Sequence, residues 1–151
     1  MKRLKYGLKK LIKMFFVDAN IFLEIALGDE KKEECKEMLS RVQKNLLNAI
    51  TSDFIMYTCL LHIESKLKHV EKMQNFLTFL DNMEGLKIYS PNNETIYNAF
   101  DIMKKYKLDF DDALVVSTMA SLGIKQLVSF DRHFDRVKEI ERLKPVQLLK
   151  N

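Results

Sequence analysis

No apolar run in this sequence approaches the roughly 20 residues that a membrane-spanning helix requires, so no such span is expected. Cysteine is scarce: Cys35 and Cys59 lie far apart, form no C-x-x-C pair and each falls on a helix-like apolar stripe. A disulfide and a zinc site are therefore set aside, and both residues read as small core side chains in a reducing cytoplasm. Repeats, low-complexity tracts and internal linkers are absent as well. With 47% hydrophobic and 30% charged residues, the chain has the balance of a globular protein and not of a disordered one. Its 151 residues are enough for one domain with a proper core.

A basic surface is also missing, despite a net charge of +4. Residues 1–13 carry six lysines and arginines and no acid, which leaves 19 basic and 21 acidic residues, a net of −2, in residues 14–151. Affinity for nucleic acid would have to come from local patches. The basic extension, residues 1–13, has neither the apolar core nor the cleavage site of a secretory signal. Leu4, Leu8, Leu11 and Ile12 fall at helical spacing, so a short amphipathic surface helix is one reading. Translation starting at Met14 is the other. Residues 14–151 are read as a single domain.

What is present begins with Met14 to Asn20, Met-Phe-Phe-Val-Asp-Ala-Asn. An apolar, β-forming run ends on Asp18 and a helical pattern follows at once, as in a buried strand that delivers one carboxylate to the edge of an α/β sheet. Asp18 as a simple helix cap is the competing reading. Helices are expected over Ala19–Leu27, Glu30–Leu47 (with Cys35, Met38, Leu39, Val42 and Leu46 inward), Phe54 to about Val70, Glu71–Met83 and Glu94–Lys107. The third of these has an apolar stripe of Tyr57, Leu60, Leu61 and Leu67 with Glu64 in its midst, which predicts a buried carboxylate that needs a partner. In the fifth, Ile96, Tyr97, Phe100 and Met103 are expected to face inward. A helix apolar nearly all round follows Asp109, with Asp111 and Asp112 in its first turn. Strands are expected at Asn48–Ser52, Leu86–Ser90, Lys125–Ser129 and near Val146–Leu148, with a helical turn at Arg132–Arg136. Short strands alternating with helices predict an α/β domain around a mainly parallel sheet.

Asp18 and Asp131 each follow a strand, Asp112 opens a buried helix, and Glu64 sits on an apolar helix face. In a parallel sheet the strand C-termini and the N-termini of the next helices share one edge, so these four acids can converge. Clustered carboxylates repel one another and either raise their pKa values or bind a cation. With oxygen donors alone, and no His or Cys at useful spacing, the expected ion is Mg²⁺ or Mn²⁺. Such an ion suits phosphodiester hydrolysis, because it activates water and neutralises charge on the phosphate oxygens. Taken singly, each acid has a plain alternative: Asp109 as a cap, Asp111 and Asp112 favoured by the helix dipole, Asp131 and Asp135 as turn residues beside Arg132 and Arg136.

Val17-Asp-Ala-Asn-Ile-Phe-Leu23, Glu64, Asp111-Asp-Ala-Leu-Val-Val116 and Ser129-Phe-Asp-Arg-His-Phe134 resemble, in order and spacing, the motifs of PIN-domain ribonucleases, toxins of the VapC type above all. The resemblance spans about residues 14–148. It implies a three-layer α/β/α sandwich around a parallel sheet and an Mg²⁺- or Mn²⁺-dependent endoribonuclease. It also implies RNA as substrate, a homodimer, and a small antitoxin that blocks the active site. Residue by residue, Asp18, Glu64, Asp112 and Asp131 match the acidic quartet; Asn20 matches the polar residue that steadies the first aspartate, and Ser129 the hydroxyl residue before the last. Asp111 is an additional acid, and Asp112 is favoured as the ligand because it directly precedes Ala113-Leu114. The basic extension departs from the pattern. Two other readings stay open: an inert PIN-like module that binds RNA or protein, and a phosphohydrolase or receiver domain with an aspartate at a strand end.

Overall fold

The computed structural model describes residues 2–3 and 13–150. Six strands form one sheet: β1 (Lys2–Arg3), β2 (Met14–Val17), β3 (Asn48–Ser52), β4 (Leu86–Tyr89), β5 (Gln126–Val128) and β6 (Glu141–Leu143). Their order is β1-β4-β3-β2-β5-β6, and every neighbouring pair is parallel. The connecting helices are α1 (Ala19–Leu27), α2 (Lys32–Gln43), α3 (Asp53–Leu67), α4 (Val70–Asp81), α5 (Asn93–Tyr106) and α6 (Phe110–Leu122). Parallel crossovers are right-handed. From β2 the chain steps outward to β3 and β4 through α1–α4, then returns past β2 to β5 through α5 and α6. Reversing direction across the sheet puts α5 and α6 on the opposite face from α1–α4. In keeping with this, α1 packs on α2 and α3, α3 on α4, and α5 on α6. The expected α/β/α sandwich is the architecture observed.

The central strands are buried on both faces, which explains their continuous apolar sequences. Phe16, Val17, Ile50, Leu127 and Val128 are closed to solvent. The direction of travel reverses between β2 and β5, where Val17 pairs with Val128 and the Asp18 N–H donates to the Val128 carbonyl at 3.1 Å. This is the switch point at which open α/β sheets place their ligands.

Several expected faces are rotated. Helix α2 ends at Gln43 and Asn45 turns with φ 59°, so Leu46 leaves the helical stripe and is exposed. On α3 the buried residues are Ile55, Met56, Cys59 and Ile63, while Tyr57 and Leu61 are exposed. Two faces of α3 are apolar, so period alone does not choose between them; the face with Ile55, Cys59 and Ile63 took the core. Glu64 is consequently exposed and not buried. On α5 Thr95 and Ala99 are fully buried, Ile96 and Met103 pack half-buried against the core as expected, and Tyr97 and Phe100 stay outside. Small residues win there because α5 lies against α6, close enough for Ser117 Oγ to donate to the Thr95 carbonyl at 2.6 Å.

The last strand is Glu141–Leu143, inside the charged stretch; Pro145–Leu148, expected to be extended, is a 3-10 turn. Its companions on β5 supply the sheet hydrogen bonding, and Leu143 alone of its three residues is buried, which left little apolar signal. Lys2 and Arg3 add an edge strand beside β4. The amphipathic helix expected from Leu4 to Ile12 lies outside the described residues.

Candidate active site

Asp18 is both a helix cap and the buried centre of a polar network. It follows β2 directly, with extended backbone, and its Oδ1 accepts the Ala19 N–H at 2.8 Å. Its Oδ2 accepts from Ser129 Oγ at 2.6 Å and Asn20 Nδ2 at 3.1 Å. Asn20 Nδ2 lies 3.0 Å from Ser129 Oγ, and Asn20 Oδ1 accepts the Phe130 N–H at 3.3 Å. Ser129 Oγ in turn accepts the Asp131 N–H at 3.0 Å. The ends of β2 and β5 are thus laced together by the side chains of Asn20 and Ser129.

Asp131 caps the 3-10 helix Arg132–Arg136, accepting the His133 N–H at 2.8 Å. Asp112 enters from the first turn of α6, largely buried, while Asp111 beside it is exposed. Asp109 stands at the N-cap of α6 without making the side-chain bond that a pure capping role predicts. The imidazole of His133 joins the two acids: its Nδ1 is 3.3 Å from Asp131 Oδ1 and 3.7 Å from Asp112 Oδ2. Sequence reasoning missed this histidine. Its signal was the spacing of two from Asp131 in a tight turn, which folds the side chain back over the cap.

The electrostatics follow from burial and like charge. Burial pushes the Asp18 carboxyl up to about 6, against its bonds from Ser129 and Ala19, and the charges of Asp131 and Asp111 push the same way. Burial, then Asp111, Asp131 and Asp18, push Asp112 up to about 7, opposed by His133. These four aspartates are therefore coupled at one end of the sheet. Glu64 is exposed on α3 and is not among the groups acting on Asp18 or Asp112. The structure brings Asp18, Asp111, Asp112 and Asp131 together and leaves Glu64 outside.

Three carboxylates crowded at partial burial, with Asp18 fully tied to donors and Asp112 facing mainly other acids, form a donor set that a divalent cation would stabilise. Asp112, Asp131 and His133 each offer a ligand atom within 4.8 Å of the others. The residues fit a hard or borderline metal ion.

A second layer holds this constellation. Arg142 on β6 grips Asp135 with two bonds, 2.7 and 3.1 Å, and donates to the Ser129 carbonyl at 3.1 Å. It pins both ends of the segment that carries Asp131 and His133. On the other flank, the Lys31 ammonium sits 4.2 Å above the Phe130 ring.

An open parallel sheet with acids gathered at its switch point defines a class, and the PIN domain family matches residues 15–140. The chain belongs to the PIN domain family. Among curated relatives, Ribonuclease VapC6 of Methanocaldococcus jannaschii is 27% identical over 149 residues, covering 85% of this chain and 95% of that protein. Ribonuclease VapC2 of the same organism is 28% identical over 152 residues, covering 93% and 97%. Among solved structures, VapC20 of Mycobacterium tuberculosis, described as a Sarcin-Ricin loop cleaving toxin, superposes with a TM-score of 0.69 at 15% identity, covering 82% of this chain and 95% of that one. The DNA-bound VapBC of Salmonella typhimurium gives 0.69 at 14% identity, covering 89% and 99%. At such identities the structures speak for the fold.

Proposed function

We propose that this PIN-domain protein is a metal-dependent endoribonuclease, the toxin of a toxin–antitoxin pair, acting on RNA in the cytoplasm. The observation that carries this reading is the convergence of Asp18, Asp112 and Asp131 at the β2/β5 switch point, with Asp18 and Asp112 pushed up to about 6 and about 7. Acids crowded and buried in this way repel one another, and a cation between them would relieve that repulsion. The naming of both curated relatives as ribonucleases supports the same reading.

Asp18, Asp112 and Asp131 would hold Mg²⁺ or Mn²⁺, with Asp111 adding charge from the rim. A bound ion supplies Lewis-acid charge to the scissile phosphate and lowers the pKa of water. Asn20 and Ser129 orient Asp18, and Arg132, exposed beside Asp131, is placed to meet the RNA backbone. Glu64 was expected to complete a quartet; exposed on α3 as it is, three aspartates carry the reading without it. The catalytic unit is residues 14–151, with the basic extension 1–13 appended to it.

The partners are an antitoxin and a second copy of this chain. Tyr57 and Leu61 on α3 and Tyr97 and Phe100 on α5 are exposed apolar side chains. Ring contacts of 6.0–6.1 Å join Tyr97, Phe100, Phe110 and Phe54 into one aromatic band beside Asp111. Contiguous exposed apolar surface of this kind suits a protein interface.

Induced expression in a bacterial host tests the reading. The wild type should arrest growth and generate new RNA 5′ ends, and Asp18→Asn should do neither. Equal arrest by both proteins would favour an RNA- or protein-binding module without catalysis.

A further inference from the structure

We infer that His133 is a nitrogen ligand of the metal site, which makes the site selective for Mn²⁺ and other first-row transition ions over Mg²⁺. This rests on the metal-dependent reading above and extends it from the carboxylates to a residue of a different chemical kind.

Asp131 accepts the His133 N–H at 2.8 Å as the cap of a 3-10 turn, which fixes the peptide of His133 against the carboxylate two residues before it. From that anchor the side chain returns over the acids. Its Nδ1 is 3.3 Å from Asp131 Oδ1 and 3.7 Å from Asp112 Oδ2. Two donors each about 2.1 Å from one ion stand roughly 3.0–3.7 Å apart when the angle between them is about 90–120°. Both His133 separations lie within or at the edge of that range, and the ligand atoms of Asp112 and Asp131 lie within 4.8 Å of one another. Asp112 is the more buried of the two acids and His133 the most exposed of the three. A ligand set that runs from buried to open in this way leaves its outer side free for water and phosphate.

An imidazole changes which ion is favoured. Mg²⁺ prefers oxygen donors in a near-ideal octahedron and gives up its waters reluctantly. Imidazole nitrogen suits Fe²⁺, Ni²⁺ and Zn²⁺ above all, and first-row ions accept nitrogen donors with affinity rising from Mn²⁺, the weakest, to Ni²⁺. A site of carboxylates alone would not separate Mn²⁺ from Mg²⁺ on this ground. The rival role for His133 is a hydrogen-bonding neighbour that stays outside the coordination sphere.

Pulsed EPR of the full-length chain loaded with Mn²⁺ distinguishes the two. Wild type should show the strong ¹⁴N modulation of a directly bound imidazole, and His133→Ala should lose it while still binding Mn²⁺. Calorimetry in parallel should show Mn²⁺ affinity falling about tenfold or more in His133→Ala and Mg²⁺ affinity changing by less than about threefold. Circular dichroism of the variant checks that it is folded, as its exposed position leads one to expect. Bound Mn²⁺ without ¹⁴N modulation in the wild type would overturn the role of His133 and leave the carboxylate site standing. No Mn²⁺ binding to the folded wild type would overturn both; the Asp18→Asn variant, which should lose binding of every divalent ion, marks that case separately.

Discussion

Removing the charge of Asp18 should stabilise the metal-free protein while abolishing its activity. Asp18 ionises near 3.8 in the unfolded chain and at about 6 in the fold, because burial disfavours its carboxylate. The folded state therefore holds the proton more tightly than the unfolded state. The penalty is absent below about pH 4, grows between about 4 and 6, and is complete above that. At about 1.4 kcal/mol per unit, it amounts to about 3 kcal/mol at neutral pH. Asp18→Asn removes it. The Asn side-chain oxygen can still accept the Ala19 N–H, and Ser129 Oγ can turn to accept from the new amide. Asn20 Nδ2 loses one acceptor, a cost of about 1 kcal/mol. The net gain is about 2 kcal/mol, or roughly 4–8 °C in Tm for a domain of this size. The assay is thermal unfolding of both proteins in chelator at pH 4 and pH 7.5. The variant should melt higher at pH 7.5 and show no advantage at pH 4. Added Mn²⁺ should raise the wild type alone. A variant less stable than wild type at pH 7.5, or a gain that persists at pH 4, would refute the burial argument.

Four other outcomes follow from the same geometry. Ser129→Ala deletes a bond to Asp18 Oδ2 and the acceptor of the Asp131 N–H, so RNA cleavage should fall about 10–100-fold with the fold retained, measured by initial rates and circular dichroism. Glu64→Gln alters an exposed side chain outside the aspartate cluster and should leave cleavage within about threefold of wild type; a loss of two orders of magnitude would return Glu64 to the site. Gly85→Ala would set a Cβ 2.4 Å from the Leu47 carbonyl oxygen and 2.5 Å from that of Val42, backbone atoms that cannot step aside. It should cost about 3 kcal/mol and lower Tm by roughly 6–12 °C in calorimetry. If the exposed aromatic band seats the second copy proposed above, Phe100→Lys should lower the sedimenting mass from dimer to monomer with the fold retained by circular dichroism.

Most of the sheet was legible because its strands are short apolar runs with polar ends. Helix α1 was legible at both limits, since Asp18 and Gly28 carry the cap and the left-handed turn that such ends require. Strand β6 was hidden because it is an edge strand with charged residues, where the apolar signal that marks central strands is absent. The faces of α3 and α5 were misread for a different reason. Both helices keep apolar residues on an outer surface, and a period of 3.6 identifies a stripe without saying what covers it. That error carried Glu64 into the core along with Tyr57 and Leu61. The proximity of Asp18, Asp112 and Asp131 was legible because parallel topology sends strand ends and the following helix starts to one edge. Asp112 was preferred to Asp111 from its place before Ala113-Leu114, and in three dimensions Asp111 is exposed while Asp112 turns inward. His133 and Arg142 had no periodic signal, since their roles depend on a tight turn and on an edge strand.

These aspartates are proposed to form a metal-dependent site that cuts RNA. Gel-resolved cleavage of an RNA by wild type and Asp112→Asn, purified in parallel and assayed with Mn²⁺ and with chelator, tests it most directly. Fragments should appear with the wild type and Mn²⁺, none in chelator, and none with the variant under either condition. Equal cleavage by both proteins, or cleavage by wild type that survives the chelator, would contradict it.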